Sequence, residues 1–419
     1  MNEKLTNSLK SIGPGILFAG AAIGGSHLIQ STRAGASYGF ELLYIVILIN
    51  LLKYPFFEYG HRYAAATGET LIDGYKKLGR WAVWTFFIMS VFLGIVNTAA
   101  VTIVTAGLFG HFLKFSTGIM HSAEFLAGVL LTLTVVILFV GKYSLLDKIV
   151  KVLITILSIF TVVAFFMAFA KGSNAAPGFT SPEVYNDVGI AFLIALMGWM
   201  PAPIELSVWS SIWSKERRKQ TKHTATLKES LLDFHIGYIT TATLAVFFLG
   251  LGAFVMYGTG LEFSSSGVAF SAQLVELYKS TLGNFMEPII ASIALITMIS
   301  TTLTVVDAYP RSLEESVKAI SNKENSSSST LYVVFVMIMV VSAFLIVSLM
   351  MKRMTTLIDI ATILSFLAAP VFAAMNFKLV MSKNLPESAR PSKWMRVLSR
   401  IGLVFFTGFG IIYIFTRIF

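Results

Sequence analysis

The chain has no cysteine, which removes disulfides, thiolate metal clusters and thiol catalysis together. Charge is scarce as well: Asp, Glu, Lys and Arg make up 13% of its 419 residues, against about 25% in ordinary soluble domains. No His-Glu-x-x-His helix is present, so the zinc-protease reading fails, and the adjacent Ser26-His27 is a poor serine-hydrolase pair. An enzyme is therefore not expected, and neither is a cofactor. What fills the chain instead is apolar: 56% hydrophobic residues with 35 Phe and 17 Met. Runs such as Leu331 to Met351 have the length of about 20 residues that crosses a hydrocarbon core. The net charge of +10 does not indicate nucleic acid, because the basic residues sit between the apolar runs.

Eleven spans are expected, at Gly13–Arg33, Leu42–Tyr63, Trp81–Phe109, Ala123–Val140, Leu145–Ala170, Gly189–Trp213, Phe234–Tyr257, Met286–Val306, Leu331–Met350, Leu357–Leu379 and Val397–Ile418. Lys and Arg concentrate in alternate connections, notably 215–228 and 378–400, so positive-inside counting places the N-terminus in the cytoplasm and the C-terminus outside. A prokaryotic inner membrane is the expected location. Met1 to Ile12 carries Lys4 and Lys10 without a cleavage pattern, so it does not read as a removable signal. The stretch Asn322 to Ser329 reads as a flexible connector. One all-α polytopic domain, 1–419, is expected, with a bilayer as its surroundings; the sequence leaves the oligomeric state open and is compatible with a monomer.

Two spans, the first and the sixth, are interrupted. Span one carries Ile23-Gly24-Gly25-Ser26-His27, where each glycine weakens a helix by about 1 kcal/mol relative to alanine. Span six carries Gly198-Trp199-Met200-Pro201-Ala202-Pro203-Ile204-Glu205, where two prolines remove two backbone donors. Irregular backbone at membrane depth survives where it lines a cavity or is buried in protein, and paired breaks in two five-span halves point to a secondary transporter. Polar groups occupy the same depth: Ser26, His27 and Glu205. Ionisable groups there are functional candidates by default. The imidazole and carboxylate are expected to pair, either within a binding site or as a structural bond between the halves.

Gly13-Pro14-Gly15 through Arg33-Ala34-Gly35-Ala36, then Tyr38-Gly39, Arg62, Thr67-Gly68-Glu69-Thr70-Leu71 and Ser210-Ser211, resemble the Nramp divalent-metal transporters. The resemblance implies a LeuT-type fold, two inverted five-helix repeats (13–170 and 189–379) plus an extra helix at 397–418, with helices one and six unwound mid-membrane. The departures fall on the family's metal motifs. Its first-helix aspartate-proline-glycine-asparagine corresponds to Gly24-Gly25-Ser26-His27, and its sixth-helix methionine-proline-histidine-asparagine to Ala202-Pro203-Ile204-Glu205. The third-helix acidic positions are also missing, with Asn97-Thr98 near where they would lie.

A divalent ion wants several ligands and carboxylate charge, and this site keeps one candidate carboxylate, Glu205, and one imidazole, His27. An anion is better served by backbone N–H groups after Gly24-Gly25 and by the Ser26 and His27 donors. The expected substrate site is thus Gly24, Gly25, Ser26, His27, Ala202, Pro203, Ile204 and Glu205, holding a small anion such as bicarbonate. The alternative is a divalent metal cation, Mg²⁺ or Mn²⁺, on His27 and Glu205. Uptake of an anion needs a coupling cation. Sodium is expected between the carbonyls of Gly20, Ala21 and Ala22 and the hydroxyls of Thr301 and Thr302, with protons as the other driver.

Smaller expectations attach to the remaining polar residues. Arg33 serves a vestibule or caps a helix end, Lys53 snorkels or pairs, and Glu58, His61 and Arg62 form interface or gating pairs. Asp233, Asp307 and Asp359 find partners near span ends, while Trp199, Trp209 and Trp213 line a gate or pack.

Overall fold

In hydrocarbon each backbone N–H and C=O must be satisfied within the protein, which leaves helices as the economical form for apolar runs of this length. The computed structural model describes residues 12–117, 122–140, 143–321 and 329–418, and among them every regular element is helical. The expectations for the first eleven residues and for 322–328 lie outside the described residues. Among the described residues eight helices are long and apolar enough to cross a membrane, and Thr155–Lys171 and Asp187–Trp199 add shorter apolar ones.

Span one is α1 (Pro14–Ala22), a π-helical turn (Ser26–Ser31) and α2 (Thr32–Tyr38). There follow α3 (Leu43–Thr67), the short amphipathic α4 (Leu71–Leu78), α5 (Arg80–Thr117), α6 (Ala123–Val140) and α7 (Tyr143–Lys171). Span six is α8 (Asp187–Trp199) and α9 (Leu206–Thr221). The chain continues through α10 (Leu227–Val255), α11 (Gly267–Leu282), α12 (Glu287–Ser321), α13 (Ser329–Met350), α14 (Met354–Met381) and α15 (Lys393–Ile418).

The helices sort into two packed groups. α10 runs along both halves of span one and against α3, and α3 packs on α9, which also touches α1. These elements form a bundle. α5 and α12 share the most extensive interface in the chain, and α6 and α13 pack against both. This second group is a scaffold. α14 bridges them, touching α8 on one side and α5 on the other.

Local chemistry fixes the ends. Pro14 opens α1 at a position where its missing N–H costs nothing, and the amides of Gly13 and Gly15 donate to the two carboxylate oxygens of Asp233, at 3.0 and 2.6 Å. An acidic group from α10 therefore caps α1 in trans. Thr70 with Asp73 and Thr226 with Glu229 form capping boxes at the starts of α4 and α10.

Candidate ion-binding site

The break in span one is short. The backbone leaves α-helical geometry at Ile23 and Gly24 and resumes at once through the π-helical turn. The amide of Leu28 donates to the Gly24 carbonyl at 3.1 Å, the first backbone bond of the resumed helix, so the amides of Gly25, Ser26 and His27 make up its first turn. The glycines are needed for close approach. A Cβ on Gly24 would lie 2.3 Å from the Thr301 hydroxyl oxygen, and one on Gly25 would lie 2.5 Å from the Trp199 ring. The Ser26 hydroxyl spans the two breaks, reaching the Ala22 carbonyl of its own helix and the Pro201 carbonyl at 3.0 Å.

The break in span six is longer, from Met200 to Glu205, as the two prolines require. Its carbonyls are held by Lys53 of α3, whose ammonium donates to Met197, Gly198 and Ala202 at 2.7, 2.8 and 3.0 Å. Lys53 is fully buried, so it does not snorkel. Glu205 is fully buried too. Its Oε1 accepts from the Tyr309 hydroxyl at 2.9 Å, while Oε2 has no hydrogen-bond partner.

Between the breaks lies a cavity of about 40 Å³. A water needs roughly 10–15 Å³ of such space, so the cavity suits a small ion with one or two waters. The bundle contributes Ala22, Gly25, Ser26, Pro201, Ala202 and Pro203, and the scaffold contributes Asn97, Val101, Thr301, Val305 and Tyr309. Trp199 and Trp209 also line it. A directed chain of hydrogen bonds crosses the seam: Trp199 Nε1 donates to Asn97 Oδ1 at 3.1 Å, Asn97 Nδ2 to Tyr309 Oη at 2.8 Å, and Tyr309 to Glu205. The carboxylate is thereby coupled to the cavity without forming its wall.

The chain matches the model of the Nramp family, the natural resistance-associated macrophage protein-like proteins, over residues 15–416. It belongs to the Nramp family. An uncharacterized protein of Pasteurella multocida is 38% identical over 417 residues, 98% of this chain and 94% of that one. A divalent metal cation transporter of Staphylococcus saprophyticus is 23% identical over 261 residues, 60% of this chain and 57% of the relative. The solved manganese transporter of Eremococcus coleocola superposes with a TM-score of 0.75 at 13% identity, covering 98% of this chain and 87% of that one. The fold is the LeuT type, with helices one and six interrupted, and the Nramp family is one of transporters rather than enzymes.

Within this Nramp chain the predicted site residues divide. Gly25, Ser26, Ala202 and Pro203 line the cavity, whereas Gly24 packs on Thr301, and Ile204 and Glu205 lie behind the wall. His27 and Glu205 are not partners. The His27 ring turns toward α10, where Nε2 faces the Thr241 carbonyl at 2.8 Å and Nδ1 faces the Ser26 hydroxyl at 2.6 Å. Nδ1 also lies 3.1 Å from the Ala22 carbonyl, so both ring nitrogens are committed within the protein. A divalent ion held by His27 and Glu205 together therefore has no counterpart in this geometry. Of the coupling-ion residues, Ala21, Ala22 and Thr301 reach the cavity. Gly20 does not line it, and Thr302 faces away, bonded to Thr105 at 2.8 Å and to the Met298 carbonyl.

Arg33 is neither a free vestibule charge nor a helix cap: it grips Asp359 of α14 at 2.7 Å and Gln30 at 2.9 Å. Asp307 pairs with Arg311, and Glu58 with Arg62, whose Nη1 also reaches the Ala389 carbonyl. His61 makes no hydrogen bond through either ring nitrogen. Sequence reasoning missed Tyr309, the residue that links carboxylate and cavity. It lies three residues past the expected end of span eight at Val306, beside Asp307 and Pro310, where no apolar run marks it. Among the described residues no group of three or more His, Cys, Asp or Glu is placed to hold a metal.

Proposed function

We propose that this Nramp-family transporter carries a divalent metal cation, still partly hydrated, through the cavity between its two breaks by alternating access. The observation that carries this reading is Glu205. A fully buried carboxylate with one oxygen unpartnered, tied through Tyr309 to an ion-sized cavity, supplies negative charge where a cation would sit. Divalent-cation transport by the Staphylococcus saprophyticus relative supports it. The cavity's own ligands are hard oxygens, the Ser26 hydroxyl, the Pro201 carbonyl, the Asn97 amide and the Tyr309 hydroxyl, and no methionine sulfur lines it. Such a set favours Mg²⁺ or Mn²⁺ retaining waters over softer ions. The substrate positions are then Gly25, Ser26, Ala202 and Pro203.

Bicarbonate is the second reading, favoured by the Lys53 ammonium behind Ala202. The coupling ion in either case is Na⁺ or H⁺. Thr301 lines the cavity, and the hydroxyls of Thr297 and Ser300 on the same helix are buried without hydrogen-bond partners, a set that suits Na⁺. In this reading the protein sits in a prokaryotic inner membrane with the N-terminus cytoplasmic, and the inverted repeats cover 13–170 and 189–379.

Proteoliposomes assayed in parallel for Mn²⁺, Mg²⁺ and bicarbonate uptake, with and without sodium and proton gradients, test it. Divalent-cation uptake that falls at least tenfold in Glu205→Gln is the expected result. Uptake of bicarbonate alone overturns it in favour of the anion.

A further inference from the structure

Lys53 has a place in the ion site that neither family motif supplies. It lies mid-way along α3 with no exposed surface, and its three ammonium hydrogens are all donated to carbonyls, those of Met197, Gly198 and Ala202. Two of those carbonyls belong to the last turn of α8, where helix carbonyls lack intrahelical partners and the helix dipole is negative. Such a trio of oxygens at a broken-helix end is a cation's environment, and here a cation tethered to the chain fills it. Glu205 lies three residues further along the same break as Ala202, which accepts from that ammonium. Ala202, which gives one of the three oxygens, also lines the cavity. A fixed positive charge therefore stands immediately behind the wall against which a transported ion rests.

We propose that Lys53 is the charge-selectivity determinant of the cavity: its ammonium, balanced by Glu205, denies the span-six carbonyls to a second cation and holds divalent-ion affinity low enough for release. The proposal rests on the cavity being the ion site. A structural cap alone would leave ion preference unchanged when the charge is removed. A charge determinant would not, because a unit charge acting across a few ångströms of protein interior alters the binding of a dication by more than tenfold.

The test is direct binding to purified protein by calorimetry, with MnCl₂ and sodium bicarbonate as probes, beside uptake in liposomes. Lys53→Met is expected to bind Mn²⁺ at least tenfold more tightly than wild type and to bind bicarbonate less tightly. Glu205→Gln, which leaves the ammonium uncompensated, is expected to bind Mn²⁺ at least tenfold more weakly. A folded Lys53→Met with an unchanged ratio of Mn²⁺ to bicarbonate affinity overturns the proposal. Should Lys53→Met fail to fold, Lys53→Gln is read in the same way, and an unchanged ratio of Mn²⁺ to bicarbonate affinity in it overturns the proposal. If wild type binds bicarbonate and no divalent ion, the divalent reading of the transporter falls. The proposal then stands if Lys53→Met loses at least tenfold in bicarbonate affinity and is overturned if it does not.

Discussion

Gly25 is the tightest point of the cavity wall. Its Cα faces the Trp199 ring so closely that an added methyl would come within 2.5 Å of it. The indole cannot withdraw freely, because its N–H is committed to Asn97. Gly25→Ala is therefore expected to keep the fold yet lower ion uptake at least tenfold, and Trp199→Leu in the same chain should restore part of the loss. Proteoliposome uptake, alongside gel filtration to verify folding, checks both. No rescue by Trp199→Leu would mean that the glycine is needed for backbone shape instead. Adjacent glycines and paired prolines made these breaks legible from sequence. The partners of His27, Lys53 and Glu205 were not legible. Helices apolar on every side carry no periodic signal for which face turns inward, so the azimuth of a lone polar residue is set by tertiary packing alone.

Span positions were readable but their ends less so: each expected span from Leu42 onward overlaps an observed helix, yet α12 runs on to Ser321, past the expected end at Val306, and α11 was not expected. The first span is interrupted where its glycines lie, at Ile23 and Gly24, and resumes in a π-helical turn beginning at Ser26. Its first half, α1, has nine residues, too few to hold as an isolated helix. What holds it is packing against α10 and the cap from Asp233. Removing that carboxylate strands two amides and withdraws negative charge from a helix N-terminus, a loss of about 1–2 kcal/mol. Asp233→Ala should consequently lower the melting temperature and raise amide exchange in Pro14–Ala22 while leaving α12 protected. Equal exchange gains in both helices would indicate a general loosening instead of a lost cap.

At the scale of the whole molecule, the seam between bundle and scaffold carries ion pairs on both faces. On one, Arg33 of α2 holds Asp359 of α14 at 2.7 Å, with a second bond from Nη2 at 3.3 Å. On the other, Lys215 of α9 stands 3.8 Å from Asp73 and 3.9 Å from Glu315 of α12. In the proposed alternating-access cycle, rocking the bundle one way would open the Arg33 pair and rocking it the other way the Lys215 pairs. Partly exposed pairs are worth up to about 1 kcal/mol, enough to shift a two-state population about fivefold. The closer, two-bonded Arg33–Asp359 contact should weigh more than the looser Lys215 pairs. The absence of native cysteine makes this measurable, because a single Val305→Cys in the cavity wall is the only thiol in the chain. Asp359→Asn should speed its labelling by a membrane-impermeant reagent added on the Arg33 side, and Lys215→Ala should speed it, by a smaller factor, from the lysine-rich side. Equal acceleration from both sides by either variant would show that these pairs do not bias the rocking.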